Sequence, residues 1–152
     1  MSNPITKRFL GFPFILAGLF VVANAVELGK LECNRTASKQ GTCQLTHSNL
    51  FNKNILSITE GQLKGAELQK KKRNYRIIIL TQNSQIPLIH SYTIGKQRKI
   101  KKVNLINNFL SHSQATSLTV QQDNRLFGYL FGLIFIVSGI CALFKPDLII
   151  KK

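Results

Sequence analysis

The chain is 152 residues long, 44% hydrophobic, and carries 21 Lys and Arg against 6 Asp and Glu, a formal charge of +15. Once its two apolar runs are set aside, that length leaves room for one modest hydrophobic core and excludes a second domain. The charge disfavours self-association and favours anionic partners, and so few carboxylates leave little for general acid or base work.

In chain order, residues 1–8 are a short tail holding Lys7 and Arg8. Phe9 to Val26 is an uncharged apolar run, close to the roughly 20 residues that a helix needs to cross a bilayer, and is expected to be a first membrane span. Its Asn24 can hydrogen-bond within the helix. A signal peptide is the alternative, since Lys7, Arg8, the apolar stretch and Ala23-Asn24-Ala25 fit that pattern. The length of the run, Pro13 inside it and a second apolar run later in the chain favour a retained span.

Val26 to Cys33 alternates apolar and polar residues, 38–41 is a turn, and Thr42 to Thr46 follows, which reads as a first hairpin. Cys33 and Cys43 suit facing positions on its two strands, where a disulfide closes if the Cα atoms come within about 7 Å. Two free thiols are the alternative. Zinc is disfavoured because His47 is the only imidazole nearby. Leu50 to Ile58, Leu63 to Leu68, Tyr75 to Thr81 and Ile86 to Tyr92 read as further strands, separated by polar turns at 70–74 and 82–85. Together they predict one meander of about six strands.

From Lys99 the period changes. Ile100, Val103, Ile106, Phe109 and Leu110 recur at three- and four-residue steps, which predicts an amphipathic helix near 99–112 that covers one face of the sheet. Leu118-Thr119-Val120 is a last strand and Asp123-Asn124-Arg125 a hinge. Leu126 to Phe144 is the second expected span, with Cys141 a small buried apolar residue, and 145–152 is a basic tail. The expected fold is an α+β membrane protein, two transmembrane helices flanking a soluble β-rich domain over 27–125, a small α+β or partly open barrel domain.

Between the runs lie 16 Lys and Arg against 5 acidic residues, so the soluble part is near +11. Two clusters stand out: Lys70, Lys71, Lys72, Arg73 and Arg76, and Lys96, Arg98, Lys99, Lys101 and Lys102. Each charge near an anionic membrane surface contributes about 1 kcal/mol. Solvated loops are the plain alternative. Nucleic acid is disfavoured, because only Tyr75 interleaves with the cations and no recognition motif appears. The spans carry small residues at helical spacing, Gly11, Gly18 and Ala25 in the first and Gly128, Gly132 and Gly139 in the second, suited to close packing with each other, in a homodimer, or against another membrane complex.

Several segments, Leu31-Glu32-Cys33-Asn34-Arg35, Cys43-Gln44-Leu45-Thr46, Leu63-Lys64-Gly65-Ala66, Tyr75 to Leu80, Ile86-Pro87-Leu88, Ile106-Asn107-Asn108-Phe109-Leu110 and Gln122-Asp123-Asn124-Arg125, resemble a family of small uncharacterised bacterial membrane proteins frequent among cyanobacteria. The resemblance spans nearly the whole chain. It implies two membrane helices around a domain similar to bacterial pleckstrin-homology-like domains, and no enzymatic activity. One departure is Leu126, where an aromatic residue often follows the Asp-x-Arg.

His47, His90 and His112 lie on different elements without a motif partner, and no phosphate loop, zinc-protease motif or serine elbow is present. An enzyme acting on a lipid or cell-wall precursor would need at least two of His47, His90, His112, Glu60 and Asp123 to converge. Asn34-Arg35-Thr36 matches a glycosylation acceptor, a short pattern that arises often by chance. The primary reading is a non-enzymatic interaction or assembly module in a plasma or thylakoid-type membrane, without a cofactor; the alternative is a domain that binds anionic lipid or another anionic ligand. Five cations near the termini against four flanking the domain, with the cysteine pair, place the domain outside the cytoplasm and both termini inside.

Overall fold

The computed structural model describes residues 11–35, 41–112 and 114–144, with the side chain of Glu60 excepted. Both tails, residues 9 and 10 of the first expected span, most of the 38–41 turn and the Glu60 carboxyl therefore lie outside the described residues. Among the described residues the fold is α+β, with two sheets and three helices. It divides into two units: residues 27–123, and a helical unit described over 11–26 and 124–144.

In the first unit, β1 (Glu27–Arg35), β2 (Gly41–Asn49), β3 (Lys53–Thr59) and β7 (Ser117–Asp123) form an antiparallel sheet in the order β3-β2-β1-β7. A second antiparallel sheet, β4-β5-β6, holds β4 (Leu63–Lys71), β5 (Asn74–Thr81) and β6 (Gln85–Pro87). This replaces the single meander expected from the sequence. A 3-10 turn at Glu60–Gln62 takes the place of a tight hairpin, so β4 does not return along β3 but opens a new sheet. The strand expected over 86–92 is only Gln85–Pro87, and its hydrogen bonding to β5 ends one residue later, where the Leu88 amide donates to the Ile77 carbonyl at 2.8 Å. Leu88 and Ile89 then turn into the core, fully buried. Gly29 permits that approach, because a Cβ there would collide with the Leu88 carbonyl.

One core serves both sheets: Leu31, Cys33, Leu45 and Val120 from the first, Ile77 and Ile79 from the second. It is closed by α2 (Lys96–Ser111), whose Ile106 and Phe109 are buried in it. The helix begins three residues before the expected Lys99, because Gly95 in the left-handed region (φ 93°) sets its N-terminus. Its other end is held by Arg35, whose guanidinium donates to the carbonyls of Phe109 (2.8 Å), His112 (2.6 Å) and Ala115 (3.1 Å) and stacks on the Phe109 ring at 4.1 Å. A cation on the last carbonyls satisfies them and complements the helix dipole.

In the second unit, α1 (Gly11–Ala25) packs on α3 (Arg125–Phe144). Among the described residues α3 is the one helix long and apolar enough, by length and composition, to cross a membrane. The described α1 has 15 residues, a rise of about 22 Å against a hydrocarbon core of about 30 Å, so the described helix is shorter than the expected full span. Asn24 donates to the Phe20 carbonyl within α1.

Candidate functional site

The first basic cluster is the β4–β5 hairpin. Lys70 and Lys71 end β4, and Lys72 turns the chain in the left-handed region at φ 55°, where Gly or Asn fits with less strain. Lys70, Lys71, Lys72 and Arg73 are exposed. The second cluster begins α2, with Lys96, Arg98 and Lys101 exposed, and holds five cations and no acid in or beside the first turn. This opposes the helix dipole, by about 0.3–1 kcal/mol per charge, and suits an anion there.

The two clusters meet. Tyr75 and Thr93 pair as an isolated antiparallel bridge, each amide donating to the other's carbonyl at 2.9 and 3.0 Å. Around that bridge, Arg76 lies 4.4 Å and Lys71 5.6 Å from the Tyr92 ring, and Lys96 lies 6.0 Å from the Tyr75 ring. Tyr92 donates its hydroxyl to Gln69 Oε1 (2.6 Å), which also accepts from Arg76 Nε (2.6 Å). Tyr92 was not singled out in the sequence, since it belonged to an expected strand; only the bridge brings it to the cations.

Three of the ten cations serve the fold instead. Lys99, expected at the surface, is 4% exposed and donates its Nζ to the carbonyls of Thr93 (2.8 Å) and Ile94 (2.5 Å). Burial, then the neighbouring charges of Lys102 and Arg98, lower its pKa. Lys102 donates to the Gln121 carbonyl, and burial followed by Arg98 lowers its pKa too. Arg76 is held by Gln69 and the His90 carbonyl. Among the described residues the other seven make no ion pair, unlike Lys30, which pairs with Glu32.

A buried carboxylate has a structural part that the sequence did not disclose. Glu27, 8% exposed, accepts from the His90 amide (2.5 Å), His90 Nδ1 (2.8 Å), the Ser91 amide (3.1 Å) and Ser91 Oγ (2.8 Å). Burial raises its pKa, but these four hydrogen bonds outweigh that and leave it below the ordinary value. His47 Nε2 donates to the Pro87 carbonyl at 2.8 Å, and its ring meets that of His90 edge-on at 5.2 Å. Burial lowers the His47 pKa, with His90 adding to the effect against the Pro87 hydrogen bond. So His47 and His90 do converge, with Glu27 as the third group, whereas His112 sits apart at the end of α2. Each group is committed to pinning residues 87–91 onto β1 and β2. Among the described residues no three His, Cys, Asp or Glu are grouped to hold a metal ion.

Cys33 and Cys43 face each other in register on β1 and β2, with Cα atoms 4.0 Å apart, and form a disulfide. The small residues of the helices line one seam. A Cβ on Gly11 would fall 2.5 Å from the Gly139 carbonyl, one on Gly18 2.8 Å from the Gly132 carbonyl, and one on Gly128 3.0 Å from the Ala25 backbone. The seam is thus filled within the chain.

Comparison with family models, curated proteins and solved structures gave no match to this chain.

Proposed function

We propose that this is a non-enzymatic integral membrane protein whose β-rich domain docks on an anionic surface, that of the membrane holding it. The meeting of the two basic clusters across the Tyr75–Thr93 bridge carries this reading. Seven exposed cations without ion pairs sit on these adjoining segments. At about 1 kcal/mol each near anionic lipid, even half of them would hold a tethered domain flat.

Membrane insertion by two spans belongs to the same proposal. It is supported by the outward faces of both helices, which expose Phe12, Leu16, Phe20, Leu126, Phe127 and Leu133 among others. Such a surface is too apolar for water. The orientation, domain outside and termini inside, is supported by the disulfide, which forms and persists in oxidising compartments. Membership in the cyanobacterial family and likeness to a pleckstrin-homology domain are proposals too, supported by two antiparallel sheets sharing one core with one helix.

The test is backbone hydrogen exchange on the full chain in nanodiscs of phosphatidylcholine with and without phosphatidylglycerol. Anionic lipid should protect 70–76 and 96–102 at low salt, and the protection should disappear at high salt. Identical exchange in both lipids removes the reading.

A second reading, an assembly module, draws on the β3 edge. Its Ile55 and Leu56 are exposed on a strand paired on one side alone, an edge that can accept a partner's strand. Native mass spectrometry after purification in mild detergent tests it, a chain that always runs alone counting against it.

A further inference from the structure

We infer that the β2–β3 hairpin tip, Leu50 and Phe51, inserts into the headgroup boundary of the bilayer as an apolar anchor; this rests on the reading that α3 crosses the membrane. The register fixes which end of the first sheet the tip belongs to. Glu27, the first residue of β1, pairs with Asn49, and Leu28 pairs with Asp123, the last residue of β7. Glu27 follows Ala25 of α1 by two residues, and Arg125 of α3 follows Asp123 by two. The chain therefore enters both apolar helices from the end of the sheet that carries the tip. Neighbouring strands are about 4.8 Å apart, so the tip lies one or two strand spacings from those passages.

At that end the chain has built a rigid turn around exposed apolar side chains. Asn49 Oδ1 accepts from the amides of Phe51 (3.0 Å) and Asn52 (2.7 Å), and the Asn49 amide donates to the Asn52 carbonyl at 2.9 Å. Those bonds fix the backbone in advance, so little entropy is lost when the side chains are bound. Leu50 and Phe51 are 42% and 73% exposed. Lys53 follows at once, and an aromatic with a lysine beside it suits the boundary between acyl chains and water. Ile94, also 73% exposed, is a second protrusion there: its neighbour Thr93 accepts from Gln122 of β7. The partner is lipid because the sheet end leads directly into α3, the helix that crosses the membrane on this reading, whereas the β3 edge, where another strand would add, runs along the side.

The chain has no tryptophan, so Phe51→Trp creates a single reporter. Ser117→Trp is the control: Ser117 is exposed and pairs with Asn34, at the other end of the sheet. Both full-length variants are reconstituted into phosphatidylcholine vesicles with bromine-bearing acyl chains, their folding checked by the protection of Cys33 and Cys43 from alkylation in the presence of mild reductant. Phe51→Trp should emit to the blue and lose at least about half its intensity to the bromines, as for a ring about 5–10 Å into the interface, with Ser117→Trp unaffected. Solvent-like, unquenched Phe51→Trp emission overturns the inference. Blue, unquenched emission overturns it too, by showing a protein contact such as a second copy. Quenching of both reporters would show embedding without a specific tip, a third contrary result. Neutral vesicles contain no anionic lipid, so quenching there stands even if exchange shows no response to phosphatidylglycerol. Conversely, that response can survive a failed anchor.

Discussion

Asn107 and Ala66 form a strand pair made by a side chain: Asn107 Oδ1 accepts from the Ala66 amide at 2.8 Å, and its Nδ2 donates to the Ala66 carbonyl at 3.0 Å. Ala66 lies on β4, the edge of the second sheet, just past a bulge at Leu63 and Gly65. The α2 side chain stands where another strand's backbone would, closing the edge to such pairing.

Asn107→Ala should therefore cost about 1–3 kcal/mol, since two backbone groups of half-buried β4 lose their partners together. Asn107→Asp should cost a similar amount, because it keeps the acceptor and replaces the donor with a second acceptor facing a carbonyl. Chemical denaturation of the full chain in detergent, followed by circular dichroism, reads both.

Acid should destabilise the β domain in two windows. The pKa of His47 is held below its ordinary 6.5, so the unfolded chain binds that proton first and stability declines as pH falls from about 6.5. Glu27 is held below its ordinary 4.5, so its contribution is complete above that value and is lost as pH falls through the folded pKa. Glu27→Gln should flatten the lower window, deepen the upper, because the Glu27 charge is one of the groups that hold the His47 pKa up, and cost about 2 kcal/mol at neutral pH through weaker hydrogen bonds to His90 and Ser91. Thermal unfolding across pH measures this, and an unchanged acid limb would refute the assignment.

Lys72→Gly should separate stability from binding. Removing the side chain at φ 55° relieves about 1 kcal/mol of backbone strain, while deleting one exposed cation weakens attraction to anionic lipid by about 1 kcal/mol. A more stable protein with less exchange protection at 70–76 in anionic nanodiscs is the expected pair of results. A stabilised variant with undiminished protection would mean that the turn does not face lipid.

The helix seam predicts a steric phenotype. Gly132→Leu places a branched side chain against Val22 and the Gly18 carbonyl, 3.0 Å from where its Cβ would stand. The helices must separate, so a disulfide engineered across the pair at a seam-facing position should close more slowly than in the parent. Equal rates would show that the seam yields at no cost.

Local pattern revealed the strands that carry it. Leu31 and Cys33 alternate with polar neighbours in β1, Tyr75 to Thr81 matches β5 almost to the residue, and the Ile106 and Phe109 stripe marks the face of α2 that is buried. What stayed hidden depends on contacts far apart in the chain. Nothing near Leu118 says that β7 will pair with β1, some ninety residues earlier, and nothing near Glu27 announces four donors from residues 90 and 91. Both basic clusters could be read as charge runs, yet the sequence could not separate Lys99, which ties down the Thr93 and Ile94 carbonyls, from Lys96 and Lys101, which face solvent. The segment 88–92 misled because buried apolar residues after a proline look like a strand whether or not they have a ladder partner.

The disulfide has a consequence for the order of events in the life of the chain. Cys33 and Cys43 are fully buried inside the shared core, so no oxidant can reach the thiols once α2 and the second sheet have closed over them, and no reductant can reach the bond afterwards. The bond must form while the first hairpin is still open, and closing a loop this short removes about 3 kcal/mol of freedom from the unfolded chain. Alkylation of membranes should thus leave both cysteines unlabelled even with mild reductant present, and label them when reductant is combined with denaturant. Their redox state is a record of where the hairpin was when it folded, kept through any later change in its surroundings.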